Sequence, residues 1–221
     1  MLGCVNFGAI CSSPDKLAPC AILAEGQSAP TVRHLREALN LLKWCAESAD
    51  LHLNVLVSNK DGSPLLLDEL LMDTYFDANF CAGRPRQGLV LRIVAIPVHW
   101  RTMRQGTVAH STAEAELVAS SWAAREMIGL KNLVNEVFPS LKITLVIFGD
   151  NEAAKLMAAC QAGIRKVRHL DLANLYVRTV TEQGLIRVQY VESSKNVADM
   201  LTKVLPAQQI RFLMHLMGFS Q

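Results

Sequence analysis

Four acidic residues stand where a carboxylate could do chemistry: Asp77, Glu116, Asp150 and Asp199. Asp77 lies inside the run YFDANF, which alternates like a β-strand although aspartate is depleted in strands. Asp150 follows the apolar run VIFG, at the carboxyl end of what should be a central strand, and sites in α/β sheets tend to open at such ends. Both aspartates are therefore candidates for an active site.

Glu116 is the better candidate of two neighbouring glutamates. Ser111 and Glu114 have the Ser-x-x-Glu spacing of a capping box, which explains Glu114 structurally. Glu116 lies about 200° further around the same helix, beside an apolar surface, where a carboxylate needs a partner. Asp199 is predicted in the first turn of a short helix.

Converging carboxylates repel one another and raise one another's pKa unless a cation neutralises them. Such a cluster indicates hard, oxygen-preferring metal ions, of which magnesium is the natural candidate. Two ions about 3.5–4 Å apart can activate a water, hold a phosphate and stabilise the leaving oxygen. The corresponding reaction is phosphodiester hydrolysis.

Each carboxylate also has an explanation that involves no chemistry. Asp77 would lie on a solvated strand face, and Asp150 would cap a helix. Glu116 would reach to water from the rim of its helix, and a helix dipole would stabilise Asp199. The spacing of the four residues in the sequence does not decide between these explanations and a common site.

Hydrophobic periodicity and turn residues predict the elements that must position these side chains. Helices are expected over residues 31–49, 112–137, 151–159, 167–182 and 197–203 and after Pro206, and strands over 51–58, 71–80, 89–96, 98–103, 142–148 and 186–191. This order predicts an α/β fold with a mixed five-stranded sheet flanked by helices, and a small, mainly helical N-terminal segment.

The composition is that of a folded protein, with 51% apolar and 19% charged residues. No run is long and apolar enough to span a membrane and there is no basic leader, so an intracellular location, cytoplasmic or nuclear, is expected. The six cysteines form no Cys-x-x-Cys pair, which argues against a zinc site or a disulfide framework. A net charge of +2 is too small to indicate a polyanion partner by itself.

Five motifs occur in order along the chain: DANFCAG at 77–83, STAEAELVA at 111–119, GDN at 149–151, RHLD at 168–171 and NVADMLTK at 196–203. Together they resemble the ribonuclease H region of Ty1/copia-type retrotransposon Pol polyproteins. The resemblance implies a ribonuclease H-like fold that cuts the RNA strand of RNA–DNA hybrids. It also implies two Mg²⁺ ions, for which Mn²⁺ would substitute, held by the catalytic carboxylates Asp77, Glu116, Asp150 and Asp199.

The same resemblance suggests substrate-binding residues. Ser111, Thr112 and Asn151 match positions expected near the hybrid backbone. His169 is a further candidate, although a lone histidine is more often a packing or capping residue. Seven basic side chains could line a groove for the hybrid, but solvated surface charge is the favoured interpretation of each: Arg84, Arg86, Arg101, Arg104, Arg165, Lys166 and Arg168. Trp100 and Trp122 are predicted to be core residues.

The N-terminal residues resemble, more loosely, the tail of a reverse transcriptase, without any Tyr-x-Asp-Asp motif. We therefore expect a remnant of the reverse transcriptase C-terminal or connection region over 1–64, a ribonuclease H-like domain over 65–205 and a C-terminal helix over 206–221. On this interpretation Met1 begins inside a longer ancestral polyprotein. A reverse transcriptase module of the parent polyprotein is then an expected partner, and no membrane is.

Three departures from the family pattern bear on activity. Cys81 looks inserted after the first motif, and the stretch over 83–100 is shorter than the family norm, so the second and third strands of the domain are expected to be distorted. The loop over 192–196 lacks the product-release histidine that cellular ribonucleases H commonly place there, although the copia-type relatives lack it too. The alternative function is a silent or domesticated remnant that only binds nucleic acid. A third alternative, a resolvase or exonuclease of the same superfold, is disfavoured by the STAEAE and ADMLTK motifs.

Overall fold

The computed structural model describes residues 2–55, 69–80, 84–106, 108–150 and 172–220, without the side chains of 172–175. Two predicted helices are affected by these limits. The helix expected over 151–159 lies outside the described residues, and the helix expected over 167–182 is described from Leu172.

The core of the fold is a mixed five-stranded sheet. Its strands are β2 (Glu69–Asn79), β3 (Arg86–Ile93), β4 (Ile96–Arg104), β5 (Lys142–Gly149) and β6 (Arg187–Tyr190), in the spatial order β4-β3-β2-β5-β6. The first three are antiparallel neighbours, whereas β5 pairs in parallel with both β2 and β6. A separate short pair joins β1 (His52–Leu53) to β7 (Phe219–Ser220).

Helices cover both faces of this sheet. They are α1 (Leu2–Cys11), α2 (Leu17–Glu25), α3 (Val32–Glu47), α4 (Thr112–Val137), α5 (Leu172–Glu182) and α6 (Ala207–Leu216), with 3-10 helices at Pro14–Lys16, Ser193–Lys195 and Val197–Leu201. The predicted fold class, a mixed five-stranded sheet flanked by helices with a mainly helical N-terminal segment, is confirmed.

Two apolar cores hold the layers together. On one face, Met72 and Phe76 of β2 pack with α4 residues such as Met127. On the other face, Val90 of β3 packs with Leu201 and other residues of the 3-10 helix Val197–Leu201 and of α6. The alternation of apolar side chains along β2 and β3 therefore supplies both cores, because successive side chains point to opposite faces.

The N-terminal helices pack against the sheet rather than standing apart from it. Ala9 of α1 lies in the second core, and its carbonyl oxygen accepts a hydrogen bond of 2.8 Å from Trp100 Nε1 on β4. Glu25 at the end of α2 forms ion pairs with Arg86 on β3 and Arg104 on β4. Helices α1 and α2 are thus fixed to the β3–β4 side of the sheet.

Some predicted boundaries are wrong. The strand expected over 89–96 ends at Ile93, because Val94 and Ala95 form the turn into β4 with φ of 50° and 65°. The strand expected over 51–58 is described as the short β1, and residues 56–58 lie beyond the described part. The helix expected over 197–203 is the 3-10 helix Val197–Leu201.

The second and third strands of the domain, β3 and β4, were expected to be distorted, and their pairing is irregular at one point. The β3–β4 register shifts between Leu91 and Arg92, next to the turn. Pairing at the other end of β3 is regular, with Asp77 opposite Gly88 and Asn79 opposite Arg86. The irregularity is therefore remote from Asp77.

In the part of the chain that the structure covers, no helix has the length and apolar character that crossing a membrane requires. The cysteines described there, Cys4, Cys11, Cys20 and Cys45, are all free thiols.

Candidate active site

Three of the predicted carboxylates converge from three different elements. Asp77 lies near the end of β2, Glu116 in the second turn of α4 and Asp150 immediately after β5. One carboxylate oxygen from each lies within 4.8 Å of the others. Asp77 and Glu116 are only 1% and 2% exposed, so this is a buried concentration of negative charge and not a solvated acidic patch.

The parallel pairing of β2 and β5 accounts for the approach of the two aspartates. Tyr75 lies opposite Phe148, so Asp77 and Asp150, each two residues further along, reach the same end of neighbouring strands. Gly149 permits the close packing beside them, since a Cβ there would lie 2.4 Å from Cζ of the Phe76 ring. A larger residue before Asp150 would push against the centre of the sheet.

The start of α4 distinguishes its two glutamates, as the sequence predicted. The Ser111 hydroxyl accepts a hydrogen bond of 3.1 Å from the Glu114 backbone N–H, which is the expected N-cap. The Glu114 carboxylate accepts from the backbone N–H of His110 at 2.7 Å, one residue before the partner that a capping box would use. Glu114 therefore serves the helix end, and Glu116 points into the carboxylate group.

Glu116 is incompletely satisfied by the protein. Its Oε1 accepts a hydrogen bond of 3.1 Å from the backbone N–H of Ala78, but its buried Oε2 has no hydrogen-bond partner among the described residues. Burial, followed by the negative charges of Asp77 and Asp150, raises the pKa of Glu116 to about 9. A buried carboxylate in this state requires either a proton or a cation.

The donor set of the group fits a hard divalent cation. All three side chains offer carboxylate oxygens, which are the ligands that Mg²⁺ and Mn²⁺ prefer. The orphan Oε2 of Glu116 is a buried acceptor that such an ion would satisfy. Asp77, Glu116 and Asp150 are therefore the residues that could hold a metal.

Asp199 lies beside this group, on the face of the sheet opposite to α4. It lies in the 3-10 helix Val197–Leu201, and its Oδ1 accepts from Lys203 Nζ at 2.9 Å. Burial, followed by the charge of Asp77, raises the pKa of Asp199 to about 6. The sequence predicted four carboxylates together, whereas the group whose oxygens lie mutually within 4.8 Å comprises Asp77, Glu116 and Asp150.

Asn196 fixes the segment that carries Asp199. Its side-chain amide donates to the carbonyl oxygen of Phe76 at 2.9 Å, and its Oδ1 accepts from the Ala198 backbone N–H at 3.2 Å. Asn196 is fully buried. The start of the 3-10 helix is thus tied to β2 one residue before Asp77.

Two residues at the site were not predicted from the sequence. The Thr202 hydroxyl donates a hydrogen bond to Asp77 Oδ2, and Lys203 Nζ lies 3.3 Å from the same oxygen. Burial opposes the charge of Lys203, but Asp77 and Asp199 outweigh it and raise the pKa of the ammonium group. Both residues belong to the NVADMLTK motif, and the four-residue spacing of Asp199 and Lys203 was the available signal.

The predicted substrate-binding residues have different outcomes. Ser111 and Thr112 are exposed at the start of α4, whereas Asn151 and His169 lie outside the described residues. Of the arginines considered for a groove, Arg86 is buried and forms an ion pair with Glu25. Arg101 Nη1 lies 3.6 Å from Glu126 Oε1, and the Arg101 guanidinium group lies over the Trp122 ring. Arg86 is therefore not a solvated surface charge, and its guanidinium group is already engaged by a carboxylate.

The chain is similar to segments of retrovirus-related Pol polyproteins of plant transposons. It is 29% identical to that of transposon TNT 1-94 from Nicotiana tabacum over 55% of this chain and 9% of the relative. It is 25% identical to those of transposons RE1 and RE2 from Arabidopsis thaliana, over 83% and 90% of this chain and 12% and 13% of the relatives. The chain thus spans about a tenth of the length of these relatives.

The solved structures that are similar include ribonuclease H domains. The N-terminal ribonuclease H domain of a Mycobacterium tuberculosis protein matches at 16% identity with a TM-score of 0.40, over 67% of this chain and 95% of that one. A ribonuclease H1 isolated from compost matches at 17% identity with a TM-score of 0.41, over 61% and 93%. No model of a protein family matches the chain. The homologues are Pol polyproteins, and the predicted resemblance is confirmed at that level.

Proposed function

We propose that this chain is a metal-dependent endonuclease of the ribonuclease H type, derived from a copia-type Pol polyprotein. It would hydrolyse the RNA strand of RNA–DNA hybrids and leave 3′-hydroxyl and 5′-phosphate ends. The observation that carries the proposal is the buried convergence of Asp77, Glu116 and Asp150 from β2, α4 and the end of β5.

In this proposal each carboxylate has a defined part. Asp77, Glu116 and Asp150 would hold one Mg²⁺, and Asp77 with Asp199 would hold a second, with Mn²⁺ as the substitute. Bound divalent cations would supply activation of the attacking water and charge neutralisation at the phosphate. Ser111, Thr112, Asn151 and His169 are proposed to contact the hybrid.

The protein's own contribution is positional. Asp77 is held by the Thr202 hydroxyl, and Glu116 by the Ala78 backbone N–H, so neither carboxylate is free to rotate out of the site. Both lie away from bulk water, which strengthens their interaction with a cation. Such preorganisation lowers the barrier because the ligands need not reorganise during the reaction.

Cleavage of a hybrid labelled on its RNA strand tests this function. The purified chain is incubated with the hybrid in Mg²⁺ or in EDTA, and the products are separated by size. We expect Mg²⁺-dependent RNA cleavage that is lost in Asp150→Asn and in Glu116→Gln. The matched control is Glu136→Gln, which removes an exposed carboxylate from the far end of α4 and should keep full activity.

Two other outcomes point elsewhere. Hybrid binding without cleavage, at any Mg²⁺ or Mn²⁺ concentration, would refute the proposal and favour a silent or domesticated remnant. Cleavage of double-stranded or junction DNA, with the hybrid left intact, would indicate another nuclease activity on the same fold. Cleavage that persists in Asp150→Asn would indicate a contaminating nuclease.

A further inference from the structure

The ammonium group of Lys203 lies between two proposed metal ligands. Its Nζ is 2.9 Å from Asp199 Oδ1 and 3.3 Å from Asp77 Oδ2. Among the ion pairs of the described residues, Lys203 is the cation that both aspartates share. A positive charge thus lies against both Asp77 and Asp199, whose carboxylates are themselves in direct contact.

The surroundings of Lys203 suggest an exchangeable contact. Its side chain is 36% exposed, whereas that of Asp77 is 1% exposed, so the ammonium group can move into solvent while the aspartate cannot. Lysine carries a compact charge on a flexible stem of four carbons, which favours such movement. Asp77 keeps the hydroxyl of Thr202 as a second partner when the ammonium group leaves.

The charge balance differs between the two halves of the site. Around Asp77 and Asp199, one ammonium group already offsets part of the negative charge. Glu116, in contrast, has an oxygen without a hydrogen-bond partner in the part of the chain that the structure describes. A divalent cation should therefore bind more tightly at the group that contains Glu116. Between Asp77 and Asp199 it must compete with the ammonium group of Lys203.

We propose that Lys203 holds, in the metal-free protein, the place between Asp77 and Asp199 that a second divalent cation would take. The free protein then binds one ion, at Asp77, Glu116 and Asp150. The second ion binds only when the ammonium group withdraws from the two aspartates. This inference depends on the proposed function, because it assumes that the carboxylate group is a metal centre.

The stoichiometry of Mn²⁺ binding, measured in the absence of nucleic acid, tests the inference. Free Mn²⁺ is followed by electron paramagnetic resonance while the metal is titrated into the protein at fixed pH and ionic strength. We expect one tightly bound ion in the wild type and two in Lys203→Gln. Removing a unit charge a few ångströms away should tighten the second site by at least about tenfold.

Three further variants sharpen the result. Lys203→Arg keeps the charge and should bind one ion, as the wild type does. The double variant with Lys203→Gln and Asp199→Asn should also return to one ion, because the second site loses a ligand. Lys195→Gln removes a lysine that pairs with exposed Glu192, so it controls for net charge and should bind one ion.

The outcomes separate this inference from the proposed function. Equal numbers and affinities of bound ions in the wild type and in Lys203→Gln would overturn the role of Lys203. Two tightly bound ions in the wild type would overturn it without any variant, so the test stands even if Lys203→Gln fails to fold. Absence of Mn²⁺ binding in every protein would overturn the metal centre itself, and with it the proposed function.

Discussion

Gly149 couples the packing of the sheet to the position of Asp150. A Cβ at this position would meet Phe76 Cζ at 2.4 Å, whereas carbon atoms in contact lie about 3.5–4.0 Å apart. Phe76 is fully buried beneath α4, so its ring cannot turn out into solvent. Gly149→Ala must therefore shift β5 or the ring by roughly 1 Å.

The expected effect of Gly149→Ala has two parts. Overpacking of a well-packed core costs about 1–3 kcal/mol of unfolding free energy. A displacement of about 1 Å at a catalytic group can reduce the rate by roughly 10²-fold. We therefore expect a destabilised protein that cleaves the hybrid poorly, as measured by urea unfolding and by the cleavage assay.

Two comparisons make this prediction specific. In Gly149→Ala combined with Phe76→Leu, the smaller side chain should relieve the contact, so the two changes should destabilise less together than the sum of their separate effects. Gly129→Ala is the matched control, since a Cβ there meets nothing within 4 Å and alanine favours a helix by about 0.8–1.0 kcal/mol. An unchanged stability of Gly149→Ala, or strictly additive effects in the double variant, would refute the reasoning.

Three further predictions concern the site and its support. In EDTA, the unfolding free energy should fall by up to roughly 1.4 kcal/mol per pH unit as pH rises from about 4.5 towards the folded-state pKa of Glu116, about 9. The reason is that the unfolded chain loses the Glu116 proton at a lower pH than the folded protein does. Urea titrations of Glu116→Gln should show a flatter dependence on pH. Asn196→Ala should lose about 1–3 kcal/mol of unfolding free energy and also cleavage activity, since it leaves the Phe76 carbonyl oxygen without this donor; an effect on stability alone would contradict the positioning role. Trp100→Phe should lower the unfolding free energy by about 1 kcal/mol, because it removes the hydrogen bond to the Ala9 carbonyl oxygen. The cleavage rate should stay unchanged. A chemical denaturation curve and the hybrid cleavage assay check the two expectations.

The residues alone made Asp77, Glu116 and Asp150 candidates, whereas their convergence was predicted only by the resemblance of the five motifs. Asp77 and Asp150 each lie near the carboxyl end of a strand, and the two strands are parallel neighbours in the sheet. Glu116 could be separated from Glu114 because the capping geometry of Ser111 is local in the chain. These features depend on short stretches of sequence and on a simple rule of sheet topology. The roles of the residues in catalysis stay predictions.

The boundary between β3 and β4 could not be predicted in the same way. Val94 and Ala95 adopt positive φ, which is uncommon for non-glycine residues and rarer still for a β-branched one. Valine ordinarily indicates a strand, so the local preference pointed to a continued strand. The pairing of Met72 with Ile93 and the return of β4 along β3 decide the conformation, and neither is visible in a local window.

The contact of Lys203 with Asp77 could not be predicted for a different reason. It depends on how closely the Val197–Leu201 helix approaches the sheet. Gly88, opposite Asp77 on β3, has no side chain, and a Cβ there would lie 2.7 Å from that of Leu201. This close approach brings the Val197–Leu201 helix onto the strands and sets the Thr202 hydroxyl and the Lys203 ammonium group against Asp77. The motif ADMLTK predicted Asp199 as a ligand, but the close packing that brings Lys203 against Asp77 depends on Gly88, which lies 111 residues before Asp199 in the sequence.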